Sequence, residues 1–318
     1  MVNMERLVVK IKLSVLLVCT YLAAPHVLAS PMDSVLPGIS LNDSVANVVA
    51  ILESRCSRLE AIEVASPIIP VAEDIESHLV CSDYRTSGGS VIEIIPFSFG
   101  DDQLKFLVAR GGAVEIFTSA SKSDPFNIAG VEGYIEDLMA VSRQDDTVWL
   151  GVMGALRANI FLWDNPYLSQ HNRSIQEFDY SVAIPEILHF GDSIENLTST
   201  FRDKCKLIEL IEKENVQLLS KPNQETQLNC YGYEYEGFIR TIEAVFGDGI
   251  LEKAWVITAK EEEGRLRASL VDMYGEPEFV SSEYESFSNW RVALRKDEPE
   301  VLILSESLAQ LYKRYYQP

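Results

Sequence analysis

Two cysteines separated by 25 residues occur twice in this chain, as Cys56 with Cys81 and as Cys205 with Cys230, and the pairs stand 149 residues apart. The residues leading into them match as well: Asp-Ser-Val-Ala-Asn-Val at 43–48 answers Asp-Ser-Ile-Glu-Asn-Leu at 192–197. A tandem duplication follows, so the fold has to be one that a single α+β unit can build twice. Four cysteines allow three pairings in principle. The repeated spacing favours Cys56 with Cys81 and Cys205 with Cys230, because a duplicated unit carries an internal bridge with it. Each bridge would stabilise its unit by about 3 kcal/mol through the loop it closes. Zinc is the weaker alternative, since no two cysteines stand as close as C-x-x-C.

Disulfides need an oxidising compartment, and the N-terminus offers a route to one. Arg6, Lys10 and Lys12 precede an apolar run from Leu13 to Ala24, and Val27-Leu28-Ala29 supplies small residues for cleavage. Residues 1–29 therefore read as a signal peptide, with the mature chain starting near Ser30 and exported to the periplasm or the extracellular space. Pro25 and His26 end the apolar run short of the roughly 20 residues that a membrane span needs. Cys19 stands where a lipid-bearing cysteine could, but Val18 replaces the small residue expected before it. No transmembrane segment is expected after cleavage. The full chain has 27 Lys plus Arg against 48 Asp plus Glu, a formal charge of −21. So acidic a surface repels phosphate backbones, which argues against nucleic acid as a partner.

Taken in order, 30–42 is an extended lead-in, 43–164 a first α+β repeat, 165–183 a linker and 184–318 a second α+β repeat. In each repeat an N-terminal helix is expected to pack on an antiparallel sheet, with a further helix and strands after it. The first helix is marked by Val45, Val48, Leu52, Cys56, Leu59 and Ile62, three or four apart, and the second by Ile194, Leu197, Phe201, Cys205, Ile208 and Ile211. Hairpins follow at Val91 to Ala109 and at Phe238 to Thr258, turning at Gly100-Asp101-Asp102 and Gly247-Asp248-Gly249. A short strand near Val114 to Thr118, a helix over Val131 to Val141, and strands at Val148 to Val152 and Asn159 to Trp163 complete the first repeat. In the second, a helix over Gly264 to Tyr274 ends at Gly275. Trp290 falls on a strand, Val301 to Leu304 forms another, and Ser305 to Tyr316 is a terminal helix.

If Cys230 faces its helix, strict alternation turns Leu228 and Gly232 the same way and leaves Tyr231, Tyr233 and Tyr235 on the opposite face. These three, with Tyr84 at the corresponding place in the first copy, are the candidate binding residues, because tyrosine is enriched at contact surfaces.

Catalytic, metal and cofactor signals are not found. Phe190-Gly191-Asp192-Ser193 resembles the GDSL block of serine esterases, but no histidine follows His189 to act as base. Asn42-Asp43-Ser44 occupies the same place in the first copy, so helix capping accounts for both. His78, His171 and His189 are isolated in sequence. Asp101 and Asp102 are explained by turn chemistry rather than by a metal. Glu261-Glu262-Glu263 reads as a solvated helix start. Asn42, Asn172 and Asn196 begin glycosylation sequons.

Each copy thus runs from a capped helix through a loop to an alternating strand and a hairpin that turns at Phe-Gly-Asp, at Phe99 and at Phe246. This pattern resembles the small exported helix-helix-sheet module shared by the β-lactamase inhibitor protein and the small lipoprotein of the outer-membrane barrel assembly machinery, over about 65 residues of each copy. The resemblance implies a non-catalytic module that offers an open sheet face to a protein partner. An exported hydrolase with an unrecognised site is the alternative, and a structural factor of the envelope a third.

Overall fold

The computed structural model describes residues 30–64, 71–128, 131–159, 184–235 and 238–317. The expected signal peptide and linker lie outside them. The first half comprises α1 (Pro31–Val35), α2 (Val45–Leu52), β1 (Arg58–Val64), β2 (Glu76–Arg85), β3 (Val91–Gly100), β4 (Gln103–Arg110), α3 (Ala113–Ala120), β5 (Phe126–Ile128), β6 (Val131–Tyr134), β7 (Met139–Ser142), β8 (Thr147–Gly151) and α4 (Met153–Asn159). The second comprises α5 (Ile194–Lys204), β9 (Leu207–Glu212), β10 (Glu225–Tyr235), β11 (Phe238–Gly247), β12 (Ile250–Ile257), α6 (Glu263–Tyr274), β13 (Phe279–Val280), β14 (Tyr284–Phe287), β15 (Val292–Arg295), β16 (Glu300–Leu304) and α7 (Glu306–Tyr316). A single 3₁₀ turn, Lys260–Glu262, precedes α6.

Among the described residues this is an α+β chain with two antiparallel sheets of eight strands. The order in the first is β1-β2-β3-β4-β8-β7-β6-β5. Read from β9, the second runs β9-β10-β11-β12-β16-β15-β14-β13, which is the same topology. The correspondence reaches single residues. Ser44 caps α2 by accepting from the Asn47 N–H, and Ser193 caps α5 by accepting from the Asn196 N–H. That use of Ser193 leaves the esterase-like block as a cap.

Both disulfides lie within a half. Cys56–Cys81 and Cys205–Cys230 each span 25 residues, with Cα atoms 5.4 and 5.5 Å apart. Each fastens the start of its sheet's first strand region to the second strand. The helices before them are shorter than expected. Cys56 lies beyond α2 and Cys205 is the C-cap of α5, while Leu59 and Ile62 belong to β1 and Ile208 and Ile211 to β9. Spacings of three and four in these stretches came from a helix followed by a half-buried strand.

Val48 and Leu52 of α2 share one buried cluster with Leu79, Cys81, Ile95, Phe97 and Phe99 of the first sheet. In the second half Leu197 and Phe201 of α5 and Leu266 and Leu270 of α6 share one with Leu228, Cys230, Ile242 and Phe246. The opposite sheet faces carry clusters of their own. Phe106, Val108, Ala140 and Trp149 meet Ala155 and Leu156 of α4 together with Ala259 from the second half. Val245, Leu302 and Leu304 meet Leu308, Ala309 and Tyr312 of α7.

The Phe-Gly-Asp turns do more than reverse the chain. Asp101 and Asp102 both have positive φ, 50° and 62°, as do Asp248 and Gly249, 46° and 81°. Two such residues in sequence give the tight turn that suits a twisted hairpin. The Asp101 carboxylate accepts from the backbone N–H groups of Glu73, Asp74 and Ile75 at 2.7–3.0 Å, and Asp248 accepts from those of Asn223 and Gln224 at 2.9 and 3.0 Å. In each half the turn aspartate therefore clamps the loop that enters the second strand. Gly100 is required beside it: a Cβ there would stand 2.3 Å from the Val71 carbonyl oxygen. Burial alone would raise the pKa of Asp101, but the three backbone donors, helped by Lys105, hold it below the usual carboxylate value. Its stabilising effect is full above the unfolded carboxyl value, about pH 4, and is lost as pH falls through the lower folded value. Asp101→Ala should therefore cost about 1 kcal/mol at pH 7, reduced from a buried bond's worth by its exposure. Denaturant titrations of parent and variant should draw together as pH falls below about 4 and the parent carboxylate takes up its proton.

Several elements differ from expectation. Val131 to Val141 is the β6–β7 hairpin rather than a helix, because Glu132 and Gly133 pair with Val141 and Ala140. The stretch around Val114 is a helix, α3, rather than a strand. Its start is fixed by Asp146, which accepts from the N–H groups of Gly112 and Val114. Trp290 lies in a turn, with φ of 69° following Ser288 and Asn289 at 50° and 54°, and is fully buried. Glu262, expected in a solvated helix start, is fully buried and binds Arg240 through two bonds of 2.5 and 2.9 Å.

Candidate functional site

The four tyrosines do not share a face. β10 carries a bulge between Tyr231 and Tyr233, where Gly232 adopts a φ of 79°. A bulge inserts one residue and turns the following side chains to the other face. Tyr235 is 4% exposed and lies in the α5–α6 cluster, with Tyr233 packed against it. Tyr84 is fully buried, and its hydroxyl donates to the Val35 carbonyl at 3.1 Å. Tyr231 alone is turned to the opposite face, where it is 8% exposed. The open tyrosine stripe expected from alternation is therefore replaced by three inward residues and one outward residue that is itself almost covered.

Around Tyr231 the outward face of the second sheet holds a polar chain. The Tyr231 hydroxyl donates to Glu209 at 2.7 Å, the Asn229 amide donates to both Glu209 and the Tyr231 oxygen at 3.2 and 3.1 Å, and Gln227 donates to Asn229 at 2.7 Å. Burial, then the bond to Glu209, push the Tyr231 phenol well above its usual value. This tyrosine is a fixed, neutral donor. Farther along the same face Arg295 pairs with Glu300 at 3.0 Å and lies over the Trp255 ring at 5.4 Å.

The first sheet has its own buried polar group. His78 Nδ1 lies 3.0 Å from Ser98 Oγ, and His78 Nε2 meets the Glu76 carboxylate. Isolated in sequence, His78 is thus partnered in space by register, since His78 pairs with Ser98 across β2 and β3. A serine, a histidine and a carboxylate in one chain are the parts of a nucleophilic site, but in such sites the serine bonds Nε2 and the acid Nδ1. Here the order is reversed and all three residues are fully buried. The arrangement reads as a satisfied polar group within a covered sheet face.

An open cleft lies at the start of α7. Its volume is about 660 Å³, and its walls include Phe190, Gly191, Ile250, Leu251, Arg291, Glu306 and Gln310. The loop before α5 is zipped to the hairpin tip to form one wall: Gly191 N–H donates to the Leu251 carbonyl at 3.2 Å, Leu251 N–H to Asp192 at 3.0 Å, and Ile194 N–H to Gly249 at 3.0 Å. The first half zips similarly through Asn42, Asp43 and Leu104. Arg291 is held over the Phe190 ring, 6.0 Å away, by donating from Nε to the Leu304 carbonyl at 2.8 Å. Ile250 at the tip is 44% exposed. The cleft therefore offers an exposed aliphatic group and a guanidinium already oriented from behind.

No protein-family model, curated protein or solved structure matches the chain. The two halves are thus each other's comparison. Sequence reasoning missed the cleft, because its walls come from the hairpin tip, the loop before α5 and the start of α7. It also missed Asn229 and Glu209, which only the strand register brings to Tyr231. Among the described residues no group of three or more His, Cys, Asp or Glu could hold a metal ion. No helix among them is long and apolar enough to cross a membrane.

Proposed function

We propose that this chain is an exported, non-catalytic binding protein, made of two helix-on-sheet modules, that receives a segment of a protein partner in the cleft beside α7. The cleft carries this reading. Its volume falls in the range of sites that take a small molecule or a few side chains of a peptide, and its mixed walls set Phe190 and Ile250 beside the carboxylates of Glu252 and Glu306 and one oriented cation, Arg291. Arginine and aromatic groups are over-represented where protein contacts are strongest. The disulfide pairs and the signal-like leader support export. The helix, strand and Phe-Gly-Asp hairpin pattern in the sequence of each half, which resembles the inhibitor and barrel-assembly module, points to a protein partner. The tyrosines give less support than their sequence pattern suggested, since three lie in cores.

Photo-crosslinking from position 250, with the same crosslinker at position 231 for comparison, tests the reading in the producing cells. A partner captured from 250 should be captured at least about tenfold less when Arg291→Glu is added, the loss expected of a contact worth 1–2 kcal/mol. Arg291→Glu also removes the bond to the Leu304 carbonyl, so the thermal midpoint of that variant should fall by no more than about 5 °C, the loss of one hydrogen bond. Capture from 231 with none from 250 would move the contact back to the sheet face.

A further inference from the structure

The two halves build the same backbone frame at the starts of α4 and α7. In the first, Leu138 N–H donates to the Ile135 carbonyl, Gly151 N–H to that of Leu138 and Val152 N–H to that of Lys105. In the second, Arg291 N–H donates to Ser288, Leu304 N–H to Arg291 and Ser305 N–H to Glu252. These matched bonds set Arg291 against Leu138, Glu252 against Lys105 and Ser305 against Val152. All three second-half residues line the cleft. The cleft is therefore the second half's copy of a surface that the first half also has.

In the first half that surface is covered by the other module. Leu138 and Val152 pack against the cluster that holds Ala259, Lys105 pairs with Glu261 at 3.8 Å, and α4 lies against β11. The fold thus uses this place to hold a unit of its own kind, through apolar contact and an ion pair. The second half's copy is open, and its charges are unspent. Among the described residues the terminal nitrogens of Arg291 make no hydrogen bond or ion pair, and neither do the carboxylates of Glu252 and Glu306. A surface with both signs beside an exposed aliphatic group is complementary to itself about a twofold axis, where every contact occurs twice.

Resting on the reading of the cleft as a docking place for protein, we propose that its occupant is the cleft of a second copy of this chain, in an isologous dimer. Arg291 of each copy meets Glu306 of the other. Glu306 takes this part because it is exposed in the first turn of α7, whereas Glu252 is half-buried in the wall. The Ile250 side chain of each copy, 44% exposed in the single chain, is covered across the axis. Such a contact leaves the junction between the halves untouched.

Sedimentation velocity of the purified protein tests this. Between about 1 and 500 μM, the range expected of a modest interface, the average mass should rise toward that of a dimer. Arg291→Glu and Glu306→Arg should each weaken association at least about tenfold, since either change sets like charges face to face at both contacts. An equimolar mixture of the two variants should dimerise nearly as well as the parent, because opposite charges then meet again at both contacts. A variant that failed to fold could not give that rescue. A monomer throughout the range, or a mixture no better than its separate components, would sink the dimer. Capture of a different protein from position 250 in the producing cells would then leave the cleft a docking place for that protein, whereas no capture there would remove both readings.

Discussion

Glu262→Gln is expected to cost roughly 3–5 kcal/mol of unfolding free energy, the usual penalty for breaking a buried ion pair by removing one of its members. Arg240 is 1% exposed and Glu262 is fully buried, and the two meet through a bidentate pair. The same carboxylate accepts from the Ala259 N–H at 2.7 Å. It thereby shapes the turn that carries Ala259 into the outward cluster of the first sheet, beside the 3.8 Å pair of Lys105 with Glu261. Loss of the charge should loosen the junction of the halves as well as the second core. The double change Arg240→Met with Glu262→Met should be markedly less harmful than the sum of the single ones, because both buried charges are removed together. Denaturant midpoints at constant slope measure both. A cost below about 1 kcal/mol for Glu262→Gln would mean that water or another group replaces the carboxylate.

Removing the Cys205–Cys230 bridge by paired alanine substitution should cost about 3–4 kcal/mol, from the chain-entropy value for a 25-residue loop. Cys230 is fully buried, so the change also trims a packed core. Treating Cys56–Cys81 in the same way should cost a similar amount, since the loop length is the same. Loss of both would approach the whole stability of many domains, about 5–15 kcal/mol. The double-bridge variant should accordingly be largely unfolded at 37 °C, seen as loss of near-ultraviolet circular dichroism, whereas either single-bridge variant should remain folded.

Much of this architecture was legible because the chain states it twice. The cysteine spacing, the Asp-Ser caps and the Phe-Gly-Asp turns are local signals whose meaning does not depend on distant partners. What sequence reading missed depends on such partners. α3 begins where it does because Asp146 caps it from 32 residues away. The β6–β7 hairpin is set by strand pairing that overrides a helical spacing. Strict alternation makes Gly232 an ordinary strand residue, but its positive φ and the bulge it permits put Tyr233 and Tyr235 on the wrong face for an open stripe. The candidate site suffered most from this.

The account rests on two sibling units, each closed by its own bridge. Peptide mapping of the non-reduced protein tests that most directly. Digestion should yield one linked pair holding Cys56 with Cys81 and another holding Cys205 with Cys230, with no thiol open to alkylation among the four. A link between a cysteine of the first pair and one of the second, or four free thiols, would contradict it.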